Sequence, residues 1–413
     1  MKVVIVGAGI VGLSSAYFLK QSGHDVIVID KNEQSVGCSF GNAGMIVPSH
    51  FIPLASPGMI AKGFRWMFSS ESPFYIKPKF DLNLLKWGWN FYQHSNESHV
   101  QKSINPLKEI HLLSKSIYQQ WYSELSFDFG YCERGLLMLY KTSSAEKEEI
   151  ETSHVANKIG IEAKVLSSYE VQQLEPDVKV NVRGGVYYPG DAHLTPQQLV
   201  VQLKKLLESN GVQFIQDEVN QFETEKSKVT KVITSHNSYD ADELVIAAGV
   251  WSYEMAKKIG VNVPMQAGKG YSFTLENVKK NSRIPSIFLE ARVAVTPMGN
   301  SLRFGGTMEI AGINSIINMN RVNGIVRAIP QYYPEMTVSI PKKEEVWYGL
   351  RPCPPDGLPY IGRSSKISNL IFATGHSMMG LSLGPATGKL VQQIINEEKT
   401  SIDVDVFNPN RFS

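Results

Sequence analysis

The sequence predicts an α/β protein in which a domain built on a parallel sheet is interrupted twice by pieces of a second domain. Short β-branched runs lead into glycines at the start, middle and end of the chain, as strands of a covered parallel sheet do. Between 265 and 308 three strand-like runs alternate instead like an antiparallel sheet. The chain has 413 residues, of which 43% are hydrophobic, so two or three domains can each bury a core.

The N-terminal segment predicts a strand, a glycine turn and a helix. Residues 2–6 are a lysine followed by four β-branched residues, and Gly7-Ala-Gly9-Ile-Val-Gly12 then matches GxGxxG. In that motif the first glycine allows a tight turn, the second lets the backbone approach a pyrophosphate, and the third lets the helix pack on the strand. The next strand ends in Asp30, placed to bind ribose hydroxyls. We therefore predict a dinucleotide site, which could hold either NAD or FAD.

The rest of the chain supplies further elements of both domains. The predicted strands and helices are a helix over 104–124, a strand over 184–188, a helix over 195–210, a strand over 212–215, a hairpin of 228–235 with 239–248, and a strand over 369–374 followed by a helix. These elements divide the chain into a cofactor domain of 1–47, 189–260 and 342–413 and a substrate domain of 48–188 and 261–341. A substrate site between two such domains is expected.

Composition excludes several classes of protein. The 41 basic and 39 acidic residues give a net charge of +2, without the basic excess typical of nucleic-acid binding. The three scattered cysteines, Cys38, Cys132 and Cys353, fit neither a disulfide framework nor a metal site, so we predict no metal. No stretch has the length and character of a membrane span, and we expect a cytoplasmic protein.

An aromatic-rich segment between 48 and 105 allows two interpretations. Its basic residues, interleaved with the aromatic ones, include Lys62, Arg65, Lys77, Lys79 and Lys86. That mixture is compatible with a surface lying on the inner face of a membrane, which would suit electron transfer to a quinone or another respiratory carrier. The alternative, which we favour from the sequence, is that the aromatic side chains form buried core.

Taken together, the motifs resemble those of the D-amino acid oxidase superfamily of FAD-dependent amine oxidoreductases, over nearly the whole chain. The motifs that carry the resemblance are Gly7-Ala-Gly9-Ile-Val-Gly12 with Asp30, Ser39-Phe-Gly-Asn-Ala-Gly44, Gly184-Gly-Val followed by Asp191 and Pro196, Val245-Ile-Ala-Ala-Gly-Val-Trp251, Lys269-Gly-Tyr-Ser272, Gly349-Leu-Arg-Pro-Cys-Pro-Pro-Asp-Gly-Leu-Pro359 and Ala373-Thr-Gly-His-Ser377. The bacterial D-amino acid dehydrogenase branch is the most similar. The resemblance implies a glutathione-reductase-like FAD-binding domain and a discontinuous α+β substrate domain on a large mixed sheet.

The resemblance also implies a reaction. A hydride would pass from the Cα of a D-amino acid (D-proline, D-hydroxyproline or D-alanine) to flavin N5, and a quinone or other non-oxygen acceptor would take the electrons. The alternatives are a glycine or sarcosine oxidase that uses oxygen, an NAD-dependent dehydrogenase, and a noncatalytic flavin-binding protein. We expect FAD to be noncovalent, because Gly349 stands where the monomeric sarcosine oxidase group has its flavin-linked cysteine.

The glycine turns and the resemblance together predict the cofactor-binding residues. They are Gly7, Gly9, Ile10, Val11, Gly12, Asp30, Lys31, Ser39, Asn42, Ala43, Gly44, Met45, Val219, Ala248, Gly249, Trp251, Gly375, His376, Gly380 and Leu381. The helix that follows Gly375 would direct its N-terminal dipole at the reduced flavin.

Four residues are predicted to act on the substrate. Arg351 is the candidate for the substrate carboxylate, since a guanidinium binds a carboxylate through two parallel hydrogen bonds; a surface ion pair is the alternative. By family likeness Tyr271 would add a hydroxyl to the same carboxylate; the sequence alone favours a strand aromatic residue in the core. His376 would contact flavin or substrate, or cap a helix, and His50 could reach the pocket, although a structural role for it is favoured. No general base stands out in the sequence.

Overall fold

The computed structural model describes residues 1–32, 37–66, 74–77 and 81–413, without the side chains of Lys62, Phe64, Arg65 and Trp66. Lys79, one of the basic residues considered for membrane contact, lies outside the described residues, and the side chains of Lys62 and Arg65 do too. The strands are β1 (Lys2–Val6), β2 (Asp25–Asp30), β3 (Met45–Ile46), β4 (Phe74–Ile76), β5 (Leu136–Tyr140), β6 (Lys164–Ser167), β7 (Gly184–Tyr188), β8 (Ala192–His193), β9 (Gln213–Gln216), β10 (Val219–Glu225), β11 (Lys228–Thr234), β12 (Ser238–Asp240), β13 (Glu243–Ile246), β14 (Gln266–Leu275), β15 (Ser286–Phe288), β16 (Val293–Met298), β17 (Ser301–Ile310), β18 (Trp347–Cys353), β19 (Tyr360–Arg363) and β20 (Leu370–Thr374). The helices are α1 (Ile10–Gln21), α2 (Met59–Trp66), α3 (Leu82–His94), α4 (Glu97–Glu124), α5 (Ser143–Lys158), α6 (Ser168–Leu174), α7 (Pro196–Ser209), α8 (Ser252–Lys258), α9 (Met319–Tyr332) and α10 (Gly380–Ile395).

A six-stranded sheet forms the centre of the cofactor-binding region. Its strand order is β19-β20-β13-β1-β2-β9, and every neighbouring pair is parallel except β19 with β20. The β-branched runs of β1 and β2 are buried on both faces, as strands covered by helices on either side require. Helix α1 packs against α7 and α10 over one face. This is the predicted parallel-sheet domain.

A nine-stranded mixed sheet forms the second region. Its strand order is β18-β14-β17-β16-β15-β5-β7-β6, and β4 pairs with β17 beside this path. The β15–β5 and β17–β4 pairs are parallel, whereas the other pairs are antiparallel. Helix α9 packs on β17 and adds Val322, Ile325 and Ile329 to the core of this region. The large mixed sheet implied by the resemblance is therefore confirmed.

Two segments depart from the division of the chain that the sequence suggested. Strand β18 lies in the predicted cofactor segment 342–413 but belongs to the nine-stranded sheet, because it pairs with β14 over its whole length. Helix α4 begins at Glu97 rather than near 104, and Tyr118 and Trp121 on it enter the core of the cofactor-binding region. An apolar helix face packs where it finds an apolar partner, and here that partner is α10.

The predicted hairpin of 228–235 with 239–248 is also corrected. Strand β12 pairs antiparallel with β11, as predicted. After Ala241 the chain leaves this small sheet, and β13 pairs in parallel with β1. The segment 239–248, predicted as one strand, thus supplies strands to two sheets. Its β13 part is buried on both faces at the centre of the parallel sheet, whereas its β12 part lies at the edge of the small sheet.

No helix in the described part of the chain is long and apolar enough to cross a bilayer.

Candidate active site

One cavity of about 830 Å³ extends along the carboxyl ends of the parallel strands and under the nine-stranded sheet. This edge of an open α/β sheet is where ligands bind, because the loops and helix N-termini converge there. The predicted cofactor residues that line the cavity are Gly7, Gly9, Ile10, Val11, Asp30, Lys31, Ser39, Asn42, Ala43, Met45, Val219, Ala248, Gly249, Trp251, His376, Gly380 and Leu381. Arg351, Tyr271 and His50 also line it. The sequence-predicted residues therefore meet in a single cavity.

Three predicted glycines, Gly12, Gly44 and Gly375, lie behind the cavity wall and serve close packing. A Cβ at Gly12 would lie 1.8 Å from the Gly7 carbonyl oxygen, so helix α1 can approach β1 only with glycine there. A Cβ at Gly44 would lie 2.3 Å from the Leu194 carbonyl oxygen, and both Gly44 and Gly375 have positive φ angles. These glycines fix the shape of the cavity without facing it.

The turn before α1 presents backbone N–H groups to the cavity. Gly9 is the N-cap of α1 and gives it no side-chain cap, while the Ile10 N–H donates to Ser39 Oγ at 2.9 Å. The Asp30 carboxylate accepts from the Ala8 N–H at 2.7 Å and from the Asn32 N–H at 2.9 Å. A helix N-terminus without a side-chain cap attracts an anion such as a pyrophosphate.

At the end of the cavity away from Arg351, a lysine ammonium lies over an indole ring. The Lys31 ammonium lies 4.7 Å from the centre of the Trp251 ring, and it pairs with the Glu218 carboxylate at 3.7 Å. Val219 lines the cavity beside them. This end offers an apolar slot with polar edges, as a purine needs.

The loop of small residues after β2 is held in place by a buried arginine. Asn42 Oδ1 accepts from the Gly44 N–H at 2.9 Å, and the Asn42 carbonyl accepts from Arg303 Nη1 at 2.9 Å. Arg303 Nε also donates to Thr274 Oγ1 at 3.0 Å. Burial lowers the pKa of Arg303 to about 10, so the guanidinium remains cationic at neutral pH.

Arg351 projects from β18 against β14, and a glycine makes room for it. A Cβ at Gly270 would lie 2.2 Å from Arg351 Nη2. Arg351 Nη1 donates to the Thr307 carbonyl at 2.5 Å, and no carboxylate of the described residues pairs with the guanidinium. Burial lowers the pKa of Arg351 from its ordinary value, although two nearby thiols act in the opposite direction. A half-buried, cavity-lining cation without a counter-ion can bind an anion.

Thr307 occupies a strained bulge next to Arg351. In the β14–β17 register, Thr307 and Met308 both oppose Gly270, and Thr307 has a φ of 67°. Its Oγ1 is buried and, like Trp347 Nε1, has no hydrogen-bond partner among the described residues. Bulges and strained residues concentrate at functional sites, and buried polar atoms without partners are rare. The cavity wall near Arg351 therefore contains polar groups that could form hydrogen bonds to a ligand.

Tyr271 differs from its expected role. Tyr271 contributes to the cavity wall, but Gly270 lies on the Arg351 face of β14 and side chains alternate between the faces of a strand, so the Tyr271 hydroxyl is directed to the other face. Its hydroxyl donates to Glu309 Oε2 at 3.3 Å and accepts from the Asn318 N–H at 3.2 Å. The ring is buried in the core of the second region. Its hydroxyl therefore belongs to a polar cluster behind the sheet, not to the carboxylate site.

The two candidate histidines have different surroundings. His376 is buried, and its Nε2 is hydrogen-bonded to Thr387 Oγ1 within α10 at 2.9 Å; the ring contacts this helix but does not cap it, since α10 has no side-chain cap. Burial lowers the pKa of His376 to about 3, so the ring is neutral. His50 Nδ1 is hydrogen-bonded to Ser49 Oγ at 3.1 Å, and burial and Arg292 lower its pKa to about 4.

Sequence reasoning missed Thr307, Gly270 and the Ser49–Asp191 pair that supports His50. Thr307 and Gly270 gain their roles from the pairing of β14, β17 and β18, which are far apart in the chain. The glycines at 305 and 306, just before Thr307, are the one local signal of an irregular strand. Nothing in the sequence near Ser49 indicates that Asp191 lies against it.

The residues present fit an FAD molecule. The cradle at Gly7 and Gly12 and the uncapped N-termini of α1 and α10 would hold the pyrophosphate and the flavin, and the cavity that they border also includes Val219 and Arg351. The partnerless Trp347 Nε1 supplies a free donor in the cavity wall. Fold and site together define an FAD-dependent oxidoreductase.

Comparison with known proteins gives the family. Residues 2–394 match the family model described as FAD dependent oxidoreductase, and the chain belongs to that family. A protein named D-amino acid dehydrogenase from Helicobacter pylori is 29% identical over 408 residues, which cover 98% of this chain and 97% of that protein. One of the same name from Bradyrhizobium diazoefficiens is 30% identical over 427 residues, covering 100% of this chain and 99% of that protein.

Two solved structures show the fold over the whole chain. Glycine oxidase from Geobacillus kaustophilus superposes with a TM-score of 0.79 at 22% identity, covering 99% of this chain and 98% of that one. L-proline dehydrogenase from P. horikoshii superposes with a TM-score of 0.77 at 18% identity, covering 100% and 97%. The predicted family, fold class, FAD and enzymatic nature are confirmed, and the protein is an FAD-dependent enzyme of the amino acid dehydrogenase and oxidase family.

Proposed function

We propose that the protein catalyses the oxidative deamination of a D-amino acid. The observation that carries this proposal is Arg351, a half-buried guanidinium that lines the cavity with no carboxylate partner among the described residues. A two-point hydrogen bond to the guanidinium orients the substrate carboxylate and thereby Cα. The names of the relatives from Helicobacter pylori and Bradyrhizobium diazoefficiens support a D-amino acid as substrate.

The chain's own residues would bind and orient the substrate and stabilise the reduced cofactor. FAD, when bound, supplies N5 as acceptor of the hydride that leaves Cα, and water then converts the resulting imine to a 2-oxo acid and ammonia. Thr307 holds Arg351 through its carbonyl oxygen. The N-terminal N–H groups of α10, which has no side-chain cap, would stabilise negative charge on the reduced cofactor.

The cavity wall supports a substrate with a small apolar side chain. Phe74 and Ile76 of β4 and Met308 and Ile310 of β17 line the cavity near Thr307. Apolar walls bind hydrocarbon by excluding water, and they leave a charged side chain without partners. D-proline, D-hydroxyproline and D-alanine fit this lining, and we propose them as the substrates to test.

We also propose that FAD is noncovalent. Gly349 carries no nucleophile, and a Cβ there would lie 2.2 Å from the Trp347 ring, so no larger side chain fits without rearrangement. Acid precipitation of the purified protein should release all flavin into the supernatant. Flavin that stays with the pellet would contradict this part of the proposal.

The proposed electron acceptor is a quinone, reached from the inner face of a membrane. Helix α3 carries four large apolar side chains that are more than half exposed and spaced along one helical face, namely Leu82, Leu85, Trp89 and Tyr92. Tyr92, at the end of this exposed face, also lines the cavity, so the face adjoins the site. An exposed apolar stripe of this kind is typical of contact with a lipid surface.

Flotation with anionic liposomes tests the proposed membrane contact. Replacing Leu85 and Trp89 together by serine should abolish flotation, because it removes apolar surface from the stripe. The control is Tyr169→Ser, which removes an aromatic residue that is 73% exposed on α6. Equal flotation of all three proteins would exclude α3 as the contact.

The reaction is tested by mixing the yellow protein anaerobically with matched D- and L-amino acids, including both prolines, glycine and sarcosine. Bleaching of the flavin by D-isomers alone supports the proposal. Readmission of oxygen or of a soluble quinone then identifies the acceptor, and we expect fast reoxidation by the quinone only. Bleaching by glycine or sarcosine with rapid oxygen reoxidation would favour the oxidase alternative. A flavin that no amine reduces would overturn the assignment.

A further inference from the structure

A chain of hydrogen bonds leads from the cavity to a buried carboxylate. His50 Nδ1 is hydrogen-bonded to Ser49 Oγ at 3.1 Å, and Ser49 Oγ donates to Asp191 Oδ2 at 2.5 Å. The Ser49 N–H also donates to Asp191 Oδ1 at 3.1 Å. The pairing of β3 with β8 creates this contact, because it brings the turn after β3 against the residue just before β8.

One end of this chain is open to the cavity and the other is closed. His50 lines the cavity, as Arg351 does, and no described residue is hydrogen-bonded to its Nε2. Asp191 is fully buried, and its only hydrogen-bond partners among the described residues are in Ser49, apart from its own backbone contacts. A carboxylate without a cation bound to it, at the end of such a chain, is a place to store a proton.

The proposed deamination requires a group that accepts a proton from the substrate. If the function proposed above holds, the substrate arrives as an ammonium ion, which must lose a proton before a hydride can leave Cα with the nitrogen lone pair assisting. Arg351 cannot take that proton, because a guanidinium is always protonated. His376 Nε2 is engaged with Thr387. His50 is the cavity-lining histidine whose ring connects to a buried acid.

We propose that His50, Ser49 and Asp191 form a proton relay that accepts the proton of the substrate ammonium. The N–H bond of the ammonium breaks and the proton bonds to His50 Nε2. The Nδ1 proton of His50 then passes to Ser49 Oγ, and the Ser49 hydroxyl proton passes to Asp191 Oδ2. The amine ends neutral, His50 ends neutral with its proton on Nε2, and Asp191 ends protonated, so charge and atoms balance.

The surroundings set the pH at which the relay can accept a proton. The ionisable groups that face the relay from neighbouring elements are Lys115, Tyr188, His111 and Arg292. Burial raises the pKa of Asp191 to about 7, although the Ser49 hydrogen bonds and Lys115 lower it. Burial and Arg292 keep His50 neutral over the same range. The relay is therefore ready above about pH 7, where Asp191 is ionised, and blocked below it.

The test is the pH dependence of anaerobic flavin reduction by saturating D-amino acid in stopped flow. In the native protein we expect the reduction rate to rise with pH through an inflection near 7. Asp191→Asn keeps an acceptor for the Ser49 N–H but cannot take a proton, so the inflection should disappear and the rate at pH 8 should fall by roughly a hundredfold. Ser49→Ala, which breaks the chain in the middle, should behave in the same way.

Glu175→Gln is the matched control. Glu175 is also a buried carboxyl whose pKa is raised to about 7 by burial, but it accepts from the backbone of Arg283 and Ile284 and does not line the cavity. We expect this variant to keep the inflection. FAD content and melting temperature report whether each variant is folded, since a purely structural role of Asp191 would lower both without moving the inflection.

The outcomes separate the relay from the function on which it rests. If no D-amino acid reduces the native protein, the proposed function has failed. If the native protein is reduced and Asp191→Asn retains both the rate and the inflection, the relay is overturned and the function stands. An inflection that disappears in Asp191→Asn and in Ser49→Ala but remains in Glu175→Gln supports the relay.

Discussion

The two ends of the cavity are built on different principles. At the parallel-sheet end two backbone donors already have side-chain partners within the protein, since Asp30 accepts from the Ala8 N–H and Ser39 accepts from the Ile10 N–H. Under the nine-stranded sheet, Thr307 Oγ1 and Trp347 Nε1 have no partner among the described residues. The first end is therefore preformed for its ligand, whereas the second contains polar groups that gain hydrogen-bond partners only when a ligand binds.

Glycines differ in the same way between the two ends. At the cofactor end Gly12 lets backbone approach backbone, so a side chain there collides with a carbonyl oxygen. At the substrate end Gly270 makes room for the guanidinium of Arg351, which can move. This difference predicts that substitutions at the first end abolish flavin binding, whereas those at the second end leave the flavin bound and impair its reduction.

The largest effect is expected for Gly12→Ala. The new Cβ would lie 1.8 Å from the Gly7 carbonyl oxygen, so α1 must move away from β1 and the cradle opens. The purified variant should contain no flavin, as measured by the absorbance ratio of flavin to protein. Gly190→Ala is the control, because a Cβ there has nothing within 4 Å, and it should bind flavin fully. A yellow Gly12→Ala protein would contradict the account of the cradle.

Gly270→Ala should give the next largest effect. Its Cβ would lie 2.2 Å from Arg351 Nη2 and displace the guanidinium, so we expect full flavin content with kcat/KM for the D-amino acid reduced at least about tenfold, equivalent to ~1.4 kcal/mol. Gly305→Ala on the neighbouring strand is the control, since its closest contact would be an ordinary 3.7 Å. Equal kinetics for both variants would show that Arg351 does not need this space.

Thr307→Gly tests the backbone strain at this residue by its stability and the role of the hydroxyl by its activity. Glycine adopts a φ of 67° without penalty, so the free energy of unfolding should rise by up to about 1 kcal/mol, as measured by urea denaturation. The unpaired hydroxyl is lost at the same time, and kcat/KM should fall by a few-fold. Thr307→Ser keeps the hydroxyl and should keep the activity. Full activity in the glycine variant would mean that the hydroxyl has no ligand.

The smallest kinetic effect is expected for Tyr271→Phe. The lost hydroxyl bonds Glu309 and Asn318 behind the sheet, so the free energy of unfolding should fall by about 1 kcal/mol. Flavin reduction should change by less than about twofold, because the substrate face is unaltered. A large rise in KM in this variant would instead restore the role that the family resemblance suggested for Tyr271.

The cofactor end was largely predictable from sequence, and the substrate end only in part. GxGxxG, Asp30 and the loop at Asn42 lie within 42 residues of one another, so local motifs carry their geometry. Arg351 was recognised through its motif. Thr307 and Gly270 depend on the register between β14, β17 and β18, and the face of Tyr271 depends on a strand's alternation relative to a partner far away in the chain. Neither this strand register nor the packing of α4 on α10 can be predicted from a local sequence pattern.

The central claim is that Arg351 binds the substrate carboxylate, and a cycle of four anaerobic flavin reductions tests it most directly. D-proline and pyrrolidine, which lacks the carboxylate, are each mixed with the native protein and with Arg351→Met. Loss of two charge-assisted hydrogen bonds at ~1.5 kcal/mol each predicts about a hundredfold slower reduction at low substrate when either partner is removed. The account predicts that removing both costs no more than removing one. Losses that multiply would contradict a direct contact between Arg351 and the carboxylate.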